Sequence, residues 1–136
     1  MEAYMADLKM KVEIIAPDRV FYEGDVDFIE FNTIEGIIGV YPRHIPTTVV
    51  LAPGILKIVS GGETKEAALH SGFAEILGDS IKMLAESVEW PEEIDVRRAE
   101  EAKIRAERRI KEAGSDSNRA ELALKRAVIR LALTKK

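Results

Sequence analysis

Cysteine is absent from this 136-residue sequence, and histidine occurs only at His44 and His70. These absences exclude disulfides, thiolate metal sites and cysteine nucleophiles, and the two distant histidines lack the spacing of a metal-binding pair. The sequence also lacks an apolar run long enough to cross a bilayer, a nucleophile-elbow motif and a glycine-rich loop ending in Gly-Lys-Ser or Gly-Lys-Thr. We therefore expect no metal, hydrolase or P-loop chemistry.

The amino-terminal residues lack a basic segment followed by an apolar core. They do not have the pattern of a secretory signal, so we expect a cytosolic location, which the absence of cysteine also favours. Aromatic residues make up only 6% of the chain and the isoelectric point is about 5.3. This composition argues against nucleic-acid binding.

Charge is distributed unevenly along the chain. Residues 1–91 contain 7 basic and 15 acidic side chains, a net charge of −8, whereas residues 92–136 contain 13 basic and 9 acidic side chains, a net charge of +4. A basic segment therefore follows an acidic body, and it could face phosphates or an acidic protein surface. We predict two modules with different partners.

Residues 8–85 consist of short apolar runs, many of them alternating, which is typical of an all-β structure. Residues 9–15 and 26–31 are two such predicted strands, with a turn expected at Glu23-Gly24 before the second. Gly61-Gly62 predicts a hairpin loop, and Gly78-Asp79 predicts a turn before Ile81. Because strands this short need a second sheet to bury their apolar faces, we expect a sandwich of about eight to ten strands.

The sequence changes character at Trp90-Pro91, and from Asp95 onward it is rich in helix-forming residues. Asp95 is a predicted N-cap, and Gly114 is expected to end the first helix. Asn118 and Glu121 are spaced like a capping box at the start of a second helix that ends near Leu133. Apolar positions recur every three or four residues as a narrow stripe on the first helix and a seam on the second: Val96, Ala99, Ala102, Ala106, Ile110 and Ala113, then Ala120, Leu124, Ala127 and Leu131.

Together these patterns predict an α+β fold, with an N-terminal β-sandwich in residues 1–90 and a C-terminal antiparallel two-helix hairpin in residues 91–136. The small side chains of the seam let the helices approach closely, but they bury little apolar area. A pair of short helices depends on such packing for most of its stability. We therefore expect a hairpin that can open when a better partner is offered.

Several motifs resemble the epsilon-subunit family of bacterial F-type ATP synthases. The central one is Gly36-Ile37-Ile38-Gly39-Val40-Tyr41-Pro42-Arg43-His44-Ile45-Pro46. Further matches occur in the expected order at residues 18–24, 51–54, 71–76 and 94–99, so the resemblance covers nearly the whole chain.

The resemblance implies a non-catalytic subunit of the central stalk that binds the gamma subunit and the c-ring and turns with them. The loop expected at this contact comprises Glu35, Gly36, Ile37, Gly39, Tyr41, Pro42, His44 and Pro46. Many relatives have a polar or acidic residue where this chain has Ile37, so an ionic contact to the ring does not carry over. Either Glu35 replaces it or the contact is apolar.

The resemblance also implies that the hairpin is regulatory. It would fold against the sandwich, or extend along gamma towards the catalytic beta and alpha subunits and inhibit ATP hydrolysis. The side chains available to an acidic catalytic-subunit surface in the extended state are Arg97, Arg98, Arg105, Arg108, Arg109, Arg126 and Arg130. A bacterial member would lie on the cytoplasmic face of the plasma membrane, attached through the complex.

Some bacterial members of the family bind ATP in the folded hairpin through an Ile/Leu-Asp-x-x-Arg-Ala motif. The matching positions here are Glu89, Ile94, Asp95, Arg98, Ala99, Arg105, Arg126 and Arg130. No cofactor would be required, and ATP, with or without Mg²⁺, would be a regulatory ligand. The alternative is a solvated helix face, whose i,i+4 ion pairs contribute only about 0.2–0.5 kcal/mol each.

Two competing functions stay open at the level of sequence. A free-standing ATP-binding sensor module would share the hairpin site but would not bind gamma. An enzyme of another class would need a cleft with paired titratable groups, and no such pair stands out in the sequence.

Overall fold

The computed structural model of the chain describes residues 8–112, 114 and 116–135. In these residues a β-sandwich is followed by two helices, as predicted. The strands are β1 (Met10–Ala16), β2 (Arg19–Val26), β3 (Phe28–Thr33), β4 (Gly36–Val40), β5 (Thr47–Leu51), β6 (Gly54–Ser60), β7 (Glu63–Leu69), β8 (Gly72–Ile76), β9 (Ser80–Ala85) and β10 (Val88–Glu89). A 3₁₀ turn at Pro91–Glu93 leads into helices α1 (Val96–Lys111) and α2 (Ser117–Thr134).

The strands are hydrogen-bonded in the order β10-β7-β6-β3-β5-β8-β9-β1-β2, with β4 paired to β3. All of these pairs are antiparallel except β1 with β9, which run parallel. Only one register pair, Thr33 with Leu51, joins β3 to β5. The chain therefore forms two extended sheets that meet at this point and enclose a single core.

The core follows from alternation along the strands. In β1, Met10, Val12 and Ile14 are buried, and the residues between them are more exposed. Phe31 on β3 and Met83 on β9 have no exposed surface. Burying a side chain of this size stabilises the fold by about 1.5–3 kcal/mol. Most buried residues of the strands form one hydrophobic cluster, which is the core of the sandwich.

The glycine turns are confirmed in two places, and the turn at Glu23-Gly24 is wrong. Gly61 and Gly62 have φ values of 60° and 82° in the β6–β7 loop, and Gly78 has a φ of 86° before β9. Glu23 and Gly24 lie inside β2, where they pair with Glu13 and Val12. The chain turns later, after Val26, where the carboxylate of Asp27 accepts hydrogen bonds from Lys9 and from the backbone N–H of Gly61.

The first helix begins as predicted. The side chain of Asp95 accepts a hydrogen bond of 3.1 Å from the backbone N–H of Arg98, and α1 ends at Lys111 before Gly114, which has a φ of 82°. Ala113 of the predicted stripe lies outside the described residues.

The predicted start of the second helix is wrong by two residues. Asp116 is the N-cap, because its carboxylate accepts from the N–H of Arg119 at 3.1 Å. Asn118 lies within the first turn of α2. An aspartate that can reach the free N–H groups of the first turn satisfies the helix start earlier than the predicted asparagine would.

Helix α2 lies between α1 and the sandwich. Ala120, Ala127 and Leu131 are buried along the predicted seam, while Leu133 packs with Ala68 of β7 and with Ile94 in a small second cluster. This cluster is much smaller than the sandwich core, so the hairpin is attached to the sheet by little apolar area. Within the described residues, neither helix is long and apolar enough to span a membrane.

Candidate functional site

The connection between the sandwich and α1 is fixed by ring stacking and a two-bond ion pair. Trp90 stacks on Phe21 of β2 with ring centroids 4.3 Å apart. Arg19, on the same strand, donates from Nη1 and Nη2 to the two carboxylate oxygens of Glu93 at 2.7 and 2.8 Å. The Glu93 carboxylate also accepts from the backbone N–H of Trp90 at 2.9 Å. The residues before and after the 3₁₀ turn are therefore presented in a defined geometry.

An open cavity of about 310 Å³ lies beside this connection, between the start of α1 and the face of α2 that points to the sandwich. It is lined by Glu89, Glu93, Asp95, Arg98, Ala99, Ala102, Arg105 and Arg130. Six of the eight predicted nucleotide-site residues thus meet at one place although they come from β10, α1 and α2. The two lining residues that sequence reasoning missed are Glu93 and Ala102.

Glu89 joins the hairpin to the sandwich at the edge of this cavity. Its carboxylate oxygen Oε1 accepts a 2.6 Å hydrogen bond from Nε of Arg130. The same oxygen lies 3.3 Å from Nε2 of His70, a histidine with no exposed surface. Because a carboxylate only accepts, Nε2 carries the proton in this contact. No sequence pattern indicated His70, since a single buried histidine has no characteristic spacing.

These donors hold the pKa of Glu89 at about 2, because the ring of His70 and the guanidinium of Arg130 stabilise the ionised form against the opposing effect of burial. The same carboxyl titrates near 4.5 when unperturbed. A depressed pKa contributes stability that is complete above the unfolded value and is lost as the pH falls from about 4.5 to about 2. We expect the difference in thermal midpoint between the wild type and Glu89→Gln to be largest near neutrality and to shrink across that window.

The matched control is Glu107→Gln, which removes an exposed carboxylate from α1 and should leave a small difference at every pH. Thermal unfolding followed by circular dichroism between pH 7 and pH 2 measures both variants. A Glu89→Gln difference that stayed constant across the acid range would contradict the assignment.

Ile94 and Arg126 are the two predicted site residues that the structure does not bring to the cavity wall. Ile94 is buried in the small cluster under the hairpin, where it supports the segment and its side chain is withdrawn from the cavity. Arg126 donates from Nη2 to the hydroxyl of Ser71 at 3.1 Å, and the same nitrogen lies 3.9 Å from Glu86. Its buried Nε has no hydrogen-bond partner among the described residues.

The cavity wall contains equal numbers of acidic and basic side chains. Glu89, Glu93 and Asp95 provide the acidic groups, and Arg98, Arg105 and Arg130 provide the basic ones. Arginines bind phosphate oxygens through paired N–H groups, and carboxylates accept hydrogen bonds from the hydroxyl and amino groups of a nucleoside. Within the described residues, no cluster of three histidine, aspartate or glutamate side chains has the arrangement of a metal site. The arrangement is suited to binding an anion with a polar, uncharged end.

A second cavity of about 380 Å³ continues from the first along the helices. It is lined by Ala102, Arg105, Ala106, Arg109, Asp116, Arg119, Ala120 and Ala123. The cavities share Ala102 and Arg105. Because several of these lining residues are alanines, an open space remains between α1 and α2.

The predicted contact loop is held by its own hydrogen bonds at the β3–β4 hairpin. The hydroxyl of Thr33 donates to the carbonyl of Gly36 at 2.8 Å and accepts from the N–H of Glu35 at 3.1 Å. Gly39 lies against the ring of Phe28, where an added Cβ would come within 2.9 Å of two ring carbons. The ring of Tyr41 packs on the same phenylalanine with centroids 4.6 Å apart. The loop is thus built to keep its shape.

The other end of this loop is anchored to the β8–β9 turn, where the N–H of Arg43 donates to the carbonyl of Gly78 at 3.0 Å. Arg43 has a φ of 69°, unusual for a residue with a side chain. His44, next to it, has its Nδ1 atom 2.7 Å from the carbonyl oxygen of Ile45. Pro42 is half-buried and Pro46 is exposed.

Large apolar side chains project from this end of the sandwich. Ile34, Ile37, Tyr41 and Ile45 are each at least 65% exposed, and Glu35 at the hairpin tip is also exposed. A group of large exposed apolar side chains is typical of a surface that binds another protein.

A second apolar surface crosses the sheet that the helices leave uncovered. Cross-strand pairing puts Val50, Phe73, Leu84, Ile15 and Val20 in one row on β5, β8, β9, β1 and β2. Val50, Phe73, Leu84 and Val20 are between 38% and 54% exposed. We call these five residues the apolar row.

Comparison with known families gives matches along the described chain. The family described as the beta-sandwich domain of the ATP synthase delta/epsilon chain matches residues 9–91, and the one described as its long alpha-helix domain matches residues 92–135. The ATP synthase epsilon chain of Caldanaerobacter subterraneus is 43% identical over 133 residues, covering 96% of each chain. That of Halalkalibacterium halodurans is 42% identical over 125 residues, covering 90% of this chain and 94% of the relative.

Solved structures show the same fold. A chain of the Euglena gracilis mitochondrial ATP synthase, in a structure of OSCP, F1 and the c-ring, superposes with a TM-score of 0.80 at 24% identity, covering 91% of this chain and 80% of that chain. A chain of the Tetrahymena thermophila mitochondrial ATP synthase, in a structure of the central stalk and c-ring, gives a TM-score of 0.62 at 18% identity, covering 93% and 96%.

Proposed function

This chain belongs to the ATP synthase epsilon family, and we propose that it is a non-catalytic central-stalk subunit whose helical hairpin senses ATP and regulates hydrolysis. Its two exposed apolar surfaces support a role as a connector between other subunits. The cavity at the base of the hairpin supports nucleotide sensing. As part of such a complex in a bacterium, the chain would be peripheral on the cytoplasmic face of the plasma membrane.

The apolar row is the surface we assign to the gamma subunit. It spans five strands, and a row of that length across one sheet offers a broad apolar face. Helix α2 contacts the opposite sheet through β6 and β7, so gamma could stay bound while the hairpin moves. This separation suits a subunit that turns with gamma in either state of its helices.

The loop with Ile37 is the surface we assign to the c-ring. Its internal hydrogen bonds keep it rigid, so that docking orders few side chains and little binding energy is lost to conformational entropy. This end of the sandwich exposes four large apolar side chains, whereas Glu35 is the one carboxylate between residues 34 and 46. Of the two alternatives that the sequence left open, this arrangement favours an apolar contact.

We expect Ile37→Ser to weaken binding to a complex of gamma and the c-ring by about fivefold, because it removes an apolar side chain that the ring would cover. Glu35→Gln, the matched change at the hairpin tip, should have a much smaller effect. Binding of the full-length chain is measured at low and high salt. Loss of binding in Glu35→Gln with no loss in Ile37→Ser would reverse the assignment and indicate an ionic contact.

The nucleotide site is supported by one observation above the others. Six of the eight expected residues line one cavity, and they come from β10, α1 and α2, which meet only when the hairpin is folded. A ligand that binds there stabilises the folded state by RT ln(1 + [ATP]/Kd), about 2.7 kcal/mol at a hundredfold excess over Kd. That is enough to shift an equilibrium held by one small apolar cluster and a few ion pairs.

The contacts of two arginines on α2 support the proposed regulation. With the hairpin folded, Arg130 is bound to Glu89, and Arg126 is bound to Ser71 and lies near Glu86. When the hairpin extends along gamma, both arginines become available to acidic surfaces of the catalytic beta and alpha subunits. Opening would inhibit ATP hydrolysis, and ATP would oppose opening.

Two measurements on the full-length chain test this function. The first is isothermal titration with ATP, MgATP and ADP. The second is the rate of hydrolysis by epsilon-free F1, with ATP regenerated, before and after the chain is added. We expect saturable ATP binding and an inhibition that is stronger at low ATP than at high ATP.

Each failure has a distinct meaning. Absence of heat or thermal shift up to millimolar ATP would remove the sensor role and leave a rotor subunit whose hairpin responds to proteins alone. ATP binding without binding to gamma would favour a free-standing sensor module. Turnover by the isolated chain would favour an enzyme.

A further inference from the structure

Arg19 lies outside the nucleotide cavity, yet it is bound to one of the residues that line it. Its two Nη atoms donate to both carboxylate oxygens of Glu93 at 2.7 and 2.8 Å, a two-bond geometry that is more directional than a single contact. The guanidinium also lies 5.1 Å from the centre of the Phe21 ring. Arg19 belongs to β2, at the far end of the hydrogen-bonded strand order from β10.

The residue that Arg19 holds controls a short turn. Glu93 accepts from the N–H of Trp90 through its side chain and donates its own N–H to the carbonyl of Trp90 at 3.0 Å. The N–H of Ile94 donates to the carbonyl of Pro91 at 3.2 Å. This turn is the only covalent path between Glu89 and Asp95. Its geometry therefore sets how far apart these two cavity carboxylates lie.

Arg19 also changes the charge that a bound nucleotide would experience. The lining contributes three acidic and three basic side chains, so an unpaired Glu93 would leave the cavity without excess positive charge. The pKa of Glu93 is lowered chiefly by its hydrogen bond with Arg19, and the carboxylate stays ionised. With Arg19 counted, the site has one more cation than anion, which favours a phosphate chain.

We propose that Arg19 is a positioning residue of the nucleotide site, which fixes the Trp90–Glu93 turn and neutralises the Glu93 carboxylate so that the cavity accepts a nucleoside triphosphate. The inference rests on the proposed nucleotide-sensing function and adds to it a residue of the sandwich that lies far before the Ile94–Ala99 motif in sequence. It makes ATP affinity depend on Arg19, which is not part of the cavity wall and acts through Glu93, which is.

The test is a double-mutant cycle in ATP affinity with the full-length chain. Arg19→Gln should weaken ATP binding on the order of fivefold, the scale of a two-bond ion pair at a partly exposed position. Arg19→Gln combined with Glu93→Gln should bind ATP no more weakly than Arg19→Gln alone, because Arg19 acts through Glu93. Arg19→Lys, which keeps the charge but loses the paired geometry, should recover only part of the affinity.

Arg97→Gln is the matched control, since Arg97 is a highly exposed arginine paired with Glu101 on α1 and is not part of the cavity wall. Its affinity should equal that of the wild type, and thermal unfolding should show all variants folded. Equal affinity in Arg19→Gln and the wild type, or losses that simply add in the double variant, would overturn the inference while leaving the nucleotide site intact. A wild-type chain that binds no ATP would instead overturn the proposed function on which the inference rests.

Discussion

Arg130→Ala is expected to reduce ATP affinity about a hundredfold or more, the scale for truncating one partner of a hydrogen-bonded charge pair. Arg130 lines the cavity and donates from Nε to Glu89 at 2.6 Å. An arginine has five N–H donors, and the four on the Nη atoms remain to bind phosphate oxygens. The substitution therefore removes a proposed ligand contact and also removes the hydrogen bond that Arg130 donates to the Glu89 carboxylate.

Lys125→Ala is the matched control, because Lys125 is an exposed cation on the same helix and is not part of the cavity wall. It should bind ATP like the wild type in isothermal titration. Arg130→Lys separates charge from geometry: it restores a cation near Glu89 but offers no paired donors, so we expect partial recovery. Wild-type affinity in Arg130→Ala would show that the cavity does not hold the phosphates.

The sandwich could be predicted because its signals are local. Alternation in β1 is visible in the sequence, and Gly61-Gly62 supplies the positive φ values that its hairpin needs. The turn at Glu23-Gly24 was wrong because Gly24 lies in β2 without a positive φ. There the glycine is a strand residue, and an added Cβ would meet the hydroxyl of Tyr22 at 3.3 Å.

The candidate site was predictable only in part, because its residues act through tertiary contacts. Asp95 and Arg98 belong to a motif with fixed spacing, so the resemblance identified them. Glu93 belongs to no motif, and its partner Arg19 is 74 residues away in sequence. His70 is likewise connected to Glu89 only by the pairing of β7 with β10.

The placement of Arg126 illustrates the same limit. The family resemblance implies that both Arg126 and Arg130 bind the ligand, and helical spacing puts them one turn apart on one face. In the folded hairpin the guanidinium of Arg126 turns to Ser71 and Glu86 at the sheet edge. Spacing along a helix predicts a shared face, but the neighbours on that face depend on how the helix docks.

Ala127→Leu should have the second large effect, by preventing closure of the hairpin without touching the cavity wall. Ala127 has no exposed surface and lies on the predicted seam of α2, between Ala120 and Leu131. Adding three carbons to a packed site costs about 1–3 kcal/mol. The hairpin is held by a small apolar cluster and a few ion pairs, so a cost of this size shifts it towards the open state.

Because the proposed site exists only in the folded hairpin, apparent ATP affinity should fall about tenfold to hundredfold in Ala127→Leu. Inhibition of hydrolysis by added chain should become stronger and lose its dependence on ATP. Ala132→Leu is the matched control: the same change on the same helix, at an exposed position, should leave both properties as in the wild type. Equal ATP affinities in the two variants would mean that binding does not require the closed hairpin, and nucleotide sensing would then need a different physical basis.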